Sequence, residues 1–452
     1  DRRMSDVASA SQPDPRRPAT PAGDGAPVSL AAVNGLLRGL NREQRAAVTH
    51  ADGPQLVVAG PGTGKTEVVT RRVAWLIATR RARPREILAL TFTDNAADEM
   101  QARVDTLVPY GQADAHVHTF HAFGDRLLRE FSFELGLPGD VRLLSRADLI
   151  VLLREQLFDL GLRRYLPLGD PGRFLGALVD LFGRAKDEDV TPDRLASHAA
   201  ELLANSAAAE EPARSALADL AAARSELAIA YGRYCRLLGE RGCIDHADQI
   251  SLPLRLLRQR PAVRDAVQRR YRHVLVDELQ DTNRAQLELV LAVAGDRANV
   301  TVVGDADQGI YAFRGAASGN LARFGAAYPA ARQIVLRRNY RSRSPILKAS
   351  GRLIRAIERG AHDRRPVLVA HRRARRPAAV RQLVFATPEE EADGIAERIA
   401  RRIEQGVQPA DFAVLVRSNG ETDAILRSLR VRGATRRAAA RRARQRRHRA
   451  VG

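Results

Sequence analysis

Five short apolar runs rich in β-branched residues punctuate the chain after Leu40: Gln55–Ala59, Ile87–Thr91, His273–Val276, Val300–Val303 and Gln333–Leu336. Between them lie longer stretches whose apolar residues recur at helical spacing. Unbroken apolar strands alternating with helices predict an α/β fold, a parallel sheet covered on both faces. From Phe120 to about Gln249 the strand signal vanishes, and Leu, Ala and Arg recur at helical spacing through Ser145–Asp159 and Arg214–Leu238. That pattern predicts a helical insertion inside the α/β domain. Beyond Arg337 a second α/β region opens, with a helix from about Ser344 and strands expected at Gln382–Ala386 and Phe412–Val416. It reads as incomplete, because the chain after Arg430 is almost purely Ala and Arg and offers no apolar periodicity. The expected division is a disordered leader over 1–28, a first α/β domain from 29–120 and 250–334, a helical insertion over 121–249, a partial second α/β domain over 335–430, and a tail over 431–452.

Composition narrows the class. The 452 residues are 45% hydrophobic and 28% charged, and no apolar run reaches the ~18 residues of a bilayer span. Lys and Arg exceed Asp and Glu by 73 to 53, a formal charge of +20. Such an excess favours polyanionic partners, because each cation placed near a phosphate releases condensed counterions. Nine arginines fall in Val431–Gly452, and the excess without them is +11. That tail reads as a solvated charge run or a non-specific phosphate binder. A basic stretch with Arg364, Arg365, Arg372, Arg373, Arg375 and Arg376 precedes the second region's strands. Cys235 and Cys243 are too few for a disulfide framework or a four-ligand zinc site, which predicts reduced thiols and a cytoplasmic setting. The leader lacks the apolar core of a secretion signal, and Met4 is the expected start.

The strand at Gln55–Val58 runs into Ala59, Gly60, Pro61, Gly62, Thr63, Gly64, Lys65 and Thr66, and a helix-like segment follows. This is the strand–loop–helix setting of a Walker A phosphate loop. Its glycines let backbone N–H groups converge on phosphate oxygens, and the following helix presents its positive end to the same anion. Lys65 is then the phosphate-binding ammonium and Thr66 a Mg²⁺ ligand. The strand His273–Val276 delivers Asp277 and Glu278 to the same sheet edge. The pair suits a Mg²⁺ ligand (Asp277) and a base that orients and deprotonates water (Glu278). The strand Val300–Val303 leads to Gln308, a candidate sensor of the γ-phosphate. Tyr311 and Phe313, flanked by Arg314, form an aromatic–basic cluster suited to stacking on unpaired bases. After Gln333–Leu336 come Tyr340 and Arg341, a face for adenine and an arginine finger from a second lobe.

In this order the strings resemble the UvrD/Rep/PcrA class of superfamily 1 DNA helicases, over roughly Leu40 to Leu429. Leu40-Asn-Arg-Glu-Gln44 is similar to the family's Q motif, which implies that Gln44 reads the adenine edge. Thr91-Phe-Thr-Asp-Asn-Ala-Ala97 with Glu99 and Met100 resembles a DNA-contacting motif in which Phe92 lies against the strand. Thr119-Phe-His121 matches the next such segment, and Ile244-Asp-His-Ala-Asp248 resembles the end of the helical insertion. The resemblance implies two RecA-like lobes in a P-loop NTPase fold, ATP and Mg²⁺ as cofactors, and single-stranded or partly duplex DNA as partner. It further implies 3′ to 5′ translocation by an ATP-dependent DNA helicase serving repair or replication.

Three positions depart from the family pattern. Glu67 stands where many relatives carry an arginine beside adenine, and Phe313 where many carry tryptophan. Val414-Leu-Val-Arg-Ser418 resembles a mid-lobe segment after which the family's remaining motifs do not follow. Gly433–Gly452 has 14 of 20 positions as Ala or Arg, so a C-terminally truncated helicase is the expectation. Two other readings stay open. A small-molecule kinase also uses a Walker A loop, but it has no use for Tyr340 and Arg341 or for Thr119 to His121. A truncated ATP- and single-strand-binding module with little turnover uses all of these residues.

Overall fold

The computed structural model describes residues 30–108, 114–296, 298–311, 316, 319–357, 367–372 and 380–433. The leader over 1–28, Phe313, Arg314, the tail from 434 onward and the basic-stretch arginines other than Arg372 lie outside the described residues. The chain divides into two compact units, Asp1–Arg375 and Arg376–Gly452.

The first unit is built on a six-stranded sheet. Its strands are β1 (Gln55–Ala59), β2 (Ile87–Thr91), β3 (His116–Thr119), β6 (His273–Val276), β7 (Val300–Gly304) and β8 (Arg332–Leu336). Their spatial order is β3-β2-β6-β7-β1-β8, and every neighbouring pair runs parallel. The five expected strands form, with boundaries shifted by at most one residue. β3 is an addition at the sheet edge: His-Val-His-Thr is half-polar, and an edge strand needs burial on only part of its surface.

Strands β2, β6 and β7 are buried at every position. Side chains two apart share a face, so each strand feeds two cores. Leu88, Leu90, Val274, Val276, Val300 and Val302 pack with the helices Phe120–Phe131, Asp248–Gln259, Pro261–Arg270 and Arg284–Ala294. Ile87, Ala89, Leu275 and Val303 pack on the other face with Arg42–Val48, Lys65–Ala78 and Asp94–Leu107. The fold is therefore α/β with a parallel sheet covered on both sides, the RecA-like arrangement. Gly124 lets the helix Phe120–Phe131 lie against the Gln249 carbonyl, where a Cβ would collide with backbone.

The helical insertion has its own core of Leu149, Leu153, Leu178, Phe182, Tyr231, Tyr234 and Leu238. A parallel pair, β4 (Arg142–Leu143) with β5 (Cys243–Ile244), closes its stem. A second small pair, β9 (Arg338–Asn339) with β10 (Val369–Ala370), stiffens the chain just beyond β8.

In the second unit the helices Pro388–Glu404 and Glu421–Val431 pack together. The expected strands at Gln382–Ala386 and Phe412–Val416 do not form among the described residues. A strand exists only where a neighbour takes its hydrogen bonds, and neither segment pairs with one; Val384 and Leu415 are exposed. No described helix is long and apolar enough to cross a membrane.

Candidate functional site

Because all six strands are parallel, their C-terminal ends share one edge of the sheet, the edge at which ligands of such folds bind. The loop after β1 and its helix Lys65–Ala78 stand there. Gly62 and Gly64 take φ of 69° and 87°, the left-handed conformation that lets the loop turn back on itself. Thr63 Oγ1 donates to the Gly60 carbonyl at 2.7 Å, tightening the turn. Gln44 is buried, and its amide is engaged at both ends: Nε2 donates to the Thr63 carbonyl at 2.9 Å and Oε1 accepts from Asn41 N at 3.0 Å. The residue expected at the adenine edge thus also braces the phosphate loop. Glu67 pairs with Arg71 one turn on, so an arginine still flanks this end of the helix.

The two carboxylates after β6 meet the loop directly. Thr66 Oγ1 donates to Asp277 Oδ2 at 2.9 Å, and Lys65 Nζ lies 2.7 Å from Glu278 Oε2. Burial, helped by neighbouring Glu278 and opposed by Thr66 and Lys65, pushes the Asp277 carboxyl up to about 6. A buried carboxylate so placed gains from a cation. The donors are a hydroxyl and carboxylate oxygens, the hard set that Mg²⁺ accepts alongside phosphate oxygens. No three His, Cys, Asp or Glu side chains gather into a metal cage among the described residues. Thr66 and Asp277 therefore fit a Mg²⁺ ion whose shell is shared with phosphate. Glu278 itself sits at φ 54°, strained for a non-glycine residue, which aims its side chain at Lys65.

Gln308 connects to this pair through two residues that sequence reasoning missed. Gln280 Nε2 donates to Glu278 Oε2 at 2.6 Å while its Oε1 accepts from Asp305 N at 2.9 Å. Gln308 Nε2 donates to Asp305 Oδ2 at 2.6 Å. The result is a continuous polar relay from Lys65 through Glu278, Gln280 and Asp305 to Gln308. The signal was present in sequence as an amide two residues after Glu278, but its partner lies 25 positions away.

The turn after β9 closes over the phosphate loop. Tyr340 N donates to the Gly62 carbonyl at 2.7 Å, and the Tyr340 hydroxyl accepts from Asn41 Nδ2 at 3.1 Å. Fully buried Asn339, also missed, donates to the Pro61 carbonyl and accepts from Arg341 N and Ser342 N at 3.0 and 2.6 Å. A Cβ on Gly62 would come within 2.5 Å of Arg341 Cβ. Arg341 is exposed and makes no ion pair among the described residues.

A second group of expected residues lies along the same edge. Phe92 and Tyr311 stack with ring centroids 5.4 Å apart and planes at 27°. Phe92, Thr119 and His121 line one cavity of about 580 Å³ with Asp187, His246, Asp281 and Asn283. The Thr119 hydroxyl caps the helix Phe120–Phe131 by accepting from Ala122 N at 3.2 Å. His246, absent from the expected set, lies with its ring 4.0 Å from that of His121. Burial, then the neighbouring His246, pushes His121 down to about 3, and burial lowers His246 as well. Both rings are neutral at physiological pH and available for stacking.

His246 is held by a buried network. Lys186 Nζ bonds Asp245 Oδ2 at 2.5 Å and Asp248 Oδ2 at 2.7 Å, and the Tyr234 hydroxyl donates to Asp245 Oδ2 at 2.7 Å. Burial opposes the ammonium charge, but Asp248 and Asp245 outweigh it and hold Lys186 above the ordinary lysine value. Next to it, Asp187 Oδ1 accepts from Asn283 Nδ2 at 2.7 Å, tying the insertion to the helix that follows the carboxylate loop.

Comparison with known proteins identifies the family. Residues 40–329 match the UvrD/REP helicase N-terminal domain, and residues 334–435 match the UvrD-like helicase C-terminal domain. The chain is 37% identical over 356 residues to ATP-dependent DNA helicase UvrD1 of Mycobacterium tuberculosis, covering 76% of this chain and 42% of that protein. It is 36% identical over 406 residues to UvrD1 of Mycobacterium leprae, covering 86% and 48%. To ATP-dependent DNA helicase PcrA of Staphylococcus epidermidis it is 30% identical over 402 residues, covering 86% and 49%. The chain thus spans about half the length of these relatives, and by its matched domains it belongs to the UvrD/REP helicase family.

Proposed function

We propose that the chain binds and hydrolyses ATP at the loop Ala59–Thr66 and couples that cycle to 3′ to 5′ movement along single-stranded or partly duplex DNA in repair or replication. The observation that carries this reading is the convergence of Lys65, Thr66, Asp277, Glu278 and the Tyr340–Arg341 turn on one phosphate loop. Lys65 and the loop N–H groups hold the phosphates, and Tyr340 offers a face to adenine. Glu278 orients the attacking water and accepts its proton; Arg341 supplies positive charge to the γ-phosphate as charge develops there. Mg²⁺, held by Thr66 and Asp277 when bound, neutralises phosphate charge. Gln308, tied to Lys65 and Glu278 through the relay, senses the γ-phosphate, and it shares the connection after β7 with the Tyr311 segment, where Phe92, Tyr311 and Phe313 hold bases with Thr119 and His121. A relay of packed polar groups is a physical route for such coupling, and only a coupling measurement establishes it.

The test is steady-state ATP hydrolysis with and without single-stranded DNA, against Lys65→Ala. The expected result is DNA-stimulated turnover well above the Lys65→Ala variant. Turnover equal to that variant with nucleotide binding retained would instead assign the chain to binding alone.

A further inference from the structure

The opposite edge of the sheet, where β2, β3 and β6 begin, carries a different chemistry. Five arginines, Arg83, Arg85, Arg126, Arg269 and Arg270, line a cavity of about 350 Å³ together with His116 and Glu86. Acid compensation is sparse. Glu86 accepts from Arg83 N at 2.8 Å and faces Arg272 at 3.8 Å. Glu130 is taken by both terminal nitrogens of Arg270. The side chains of Arg83, Arg85 and Arg269 are exposed and form no ion pair among the described residues.

Arg126 is held without being neutralised. It lies 2.9 Å from His116 Nδ1, and His116 is pushed down to about 4, first by burial and then by Arg126. A neutral imidazole that accepts a hydrogen bond fixes the guanidinium and leaves its charge intact. Four cations that make no ion pair among the described residues share one concave rim with a single lining carboxylate, Glu86; they repel one another, and an anion relieves that repulsion. The guanidinium fork matches phosphate oxygens, and among the described residues no Phe, Tyr or Trp lines the cavity to stack on bases. It therefore suits backbone contacts that carry no sequence information. The strands separate it from Phe92 and Thr119 by roughly 13–17 Å, four or five residues at about 3.3 Å each. The nucleotides held at the Phe92 edge are therefore not the ones these arginines touch, and the rim meets a different stretch of polynucleotide.

We propose that the arginine rim at the N-terminal edge of the sheet is a second, sequence-independent docking surface for the phosphate backbone of duplex DNA. The inference shares with the proposed function only the premise that DNA is the partner. The test measures fluorescence anisotropy over a salt series for a blunt duplex and, separately, for an oligothymidylate of about ten nucleotides, roughly one single-strand site. The wild-type chain is compared with Arg83→Gln/Arg85→Gln/Arg269→Gln and with the corresponding Lys triple variant. For the Gln triple, duplex affinity falls about tenfold or more and its salt slope becomes shallower by about 2–3, nearly one per lost phosphate contact. The Lys triple keeps most of the slope, and oligothymidylate binding with its stimulation of ATP hydrolysis is unchanged in both. Unchanged duplex affinity and slope in the Gln triple overturn the proposal. With labelled polyglutamate as a third probe, loss of its binding in the Gln triple without loss of duplex binding also overturns the proposal and assigns the rim to an acidic protein. A wild-type chain whose ATP hydrolysis ignores oligothymidylate, with the duplex result intact, sinks the proposed coupling and leaves the rim standing.

Discussion

Replacing Lys186 with Met tests the buried network that holds the Asp245–Asp248 segment. The Lys186, Asp245 and Asp248 side chains are only 4%, 5% and 7% exposed, so each ion has given up most of its hydration. At about 3 Å and an effective dielectric constant of about 20, each pair attracts by roughly 5–6 kcal/mol. Desolvation offsets this by several kcal/mol per ion, so the intact network is close to neutral in net stability. Removing the ammonium alone is different: two carboxylates remain buried side by side, and one must take a proton or draw in water. The expected loss is about 3–5 kcal/mol. Urea unfolding followed by circular dichroism measures it, at about pH 5 and about pH 8. The loss shrinks at the lower pH, where a proton neutralises one carboxylate, and Lys186→Met/Asp245→Asn/Asp248→Asn recovers at least half of it at the higher pH. The same substitution lets His246 drift from His121, so half-maximal DNA stimulation of hydrolysis requires more DNA. A loss below about 1 kcal/mol, or one equal at both pH values, would refute the reasoning.

Three further outcomes follow from particular contacts. Gln280→Leu cuts the relay between Glu278 and Asp305; DNA-stimulated turnover falls about tenfold, a coupling loss of about 1.4 kcal/mol, while nucleotide affinity holds, and undiminished stimulation counts against the relay. Gly62→Ala places a methyl group against Arg341 at a φ of 69°; titration with a fluorescent ATP analogue shows affinity reduced about tenfold or more, a strain of about 1–3 kcal/mol, and wild-type affinity would show that the turn is not closed over the loop. Asp187→Asn probes burial. Burial, ahead of the opposing pull of Arg184, pushes this carboxyl from 3.8 up to about 7, so the folded chain keeps a proton that the unfolded chain releases. That contribution is full below about pH 4 and gone once pH passes about 7. The melting temperature of the Asn variant relative to wild type therefore rises between about pH 5 and about pH 8, and a constant difference would show that Asp187 is not proton-linked.

Sequence by itself determined the strands and much of the chemistry. Continuous runs such as Ile87–Thr91 and Val300–Val303 pair only in a sheet buried on both faces, so their composition states their environment. The phosphate loop was legible because a strand, a glycine-rich turn and a helix are contiguous and local. β3 was not legible, because an edge strand tolerates the two histidines that hide it. The segments at Gln382–Ala386 and Phe412–Val416 show the converse, β-like sequences that are not strands because no neighbour hydrogen-bonds to them.

Tertiary structure alone decided which distant residues meet. Gln280 meets Asp305, Asn339 meets Pro61, His246 meets His121, and Lys186 meets Asp245 and Asp248. Each is a polar or ring contact between strand-end loops or helix ends far apart in the chain. Local periodicity records whether a side chain is buried. The partner that satisfies a buried polar group is fixed only when the parallel strands align their C-terminal ends along one edge.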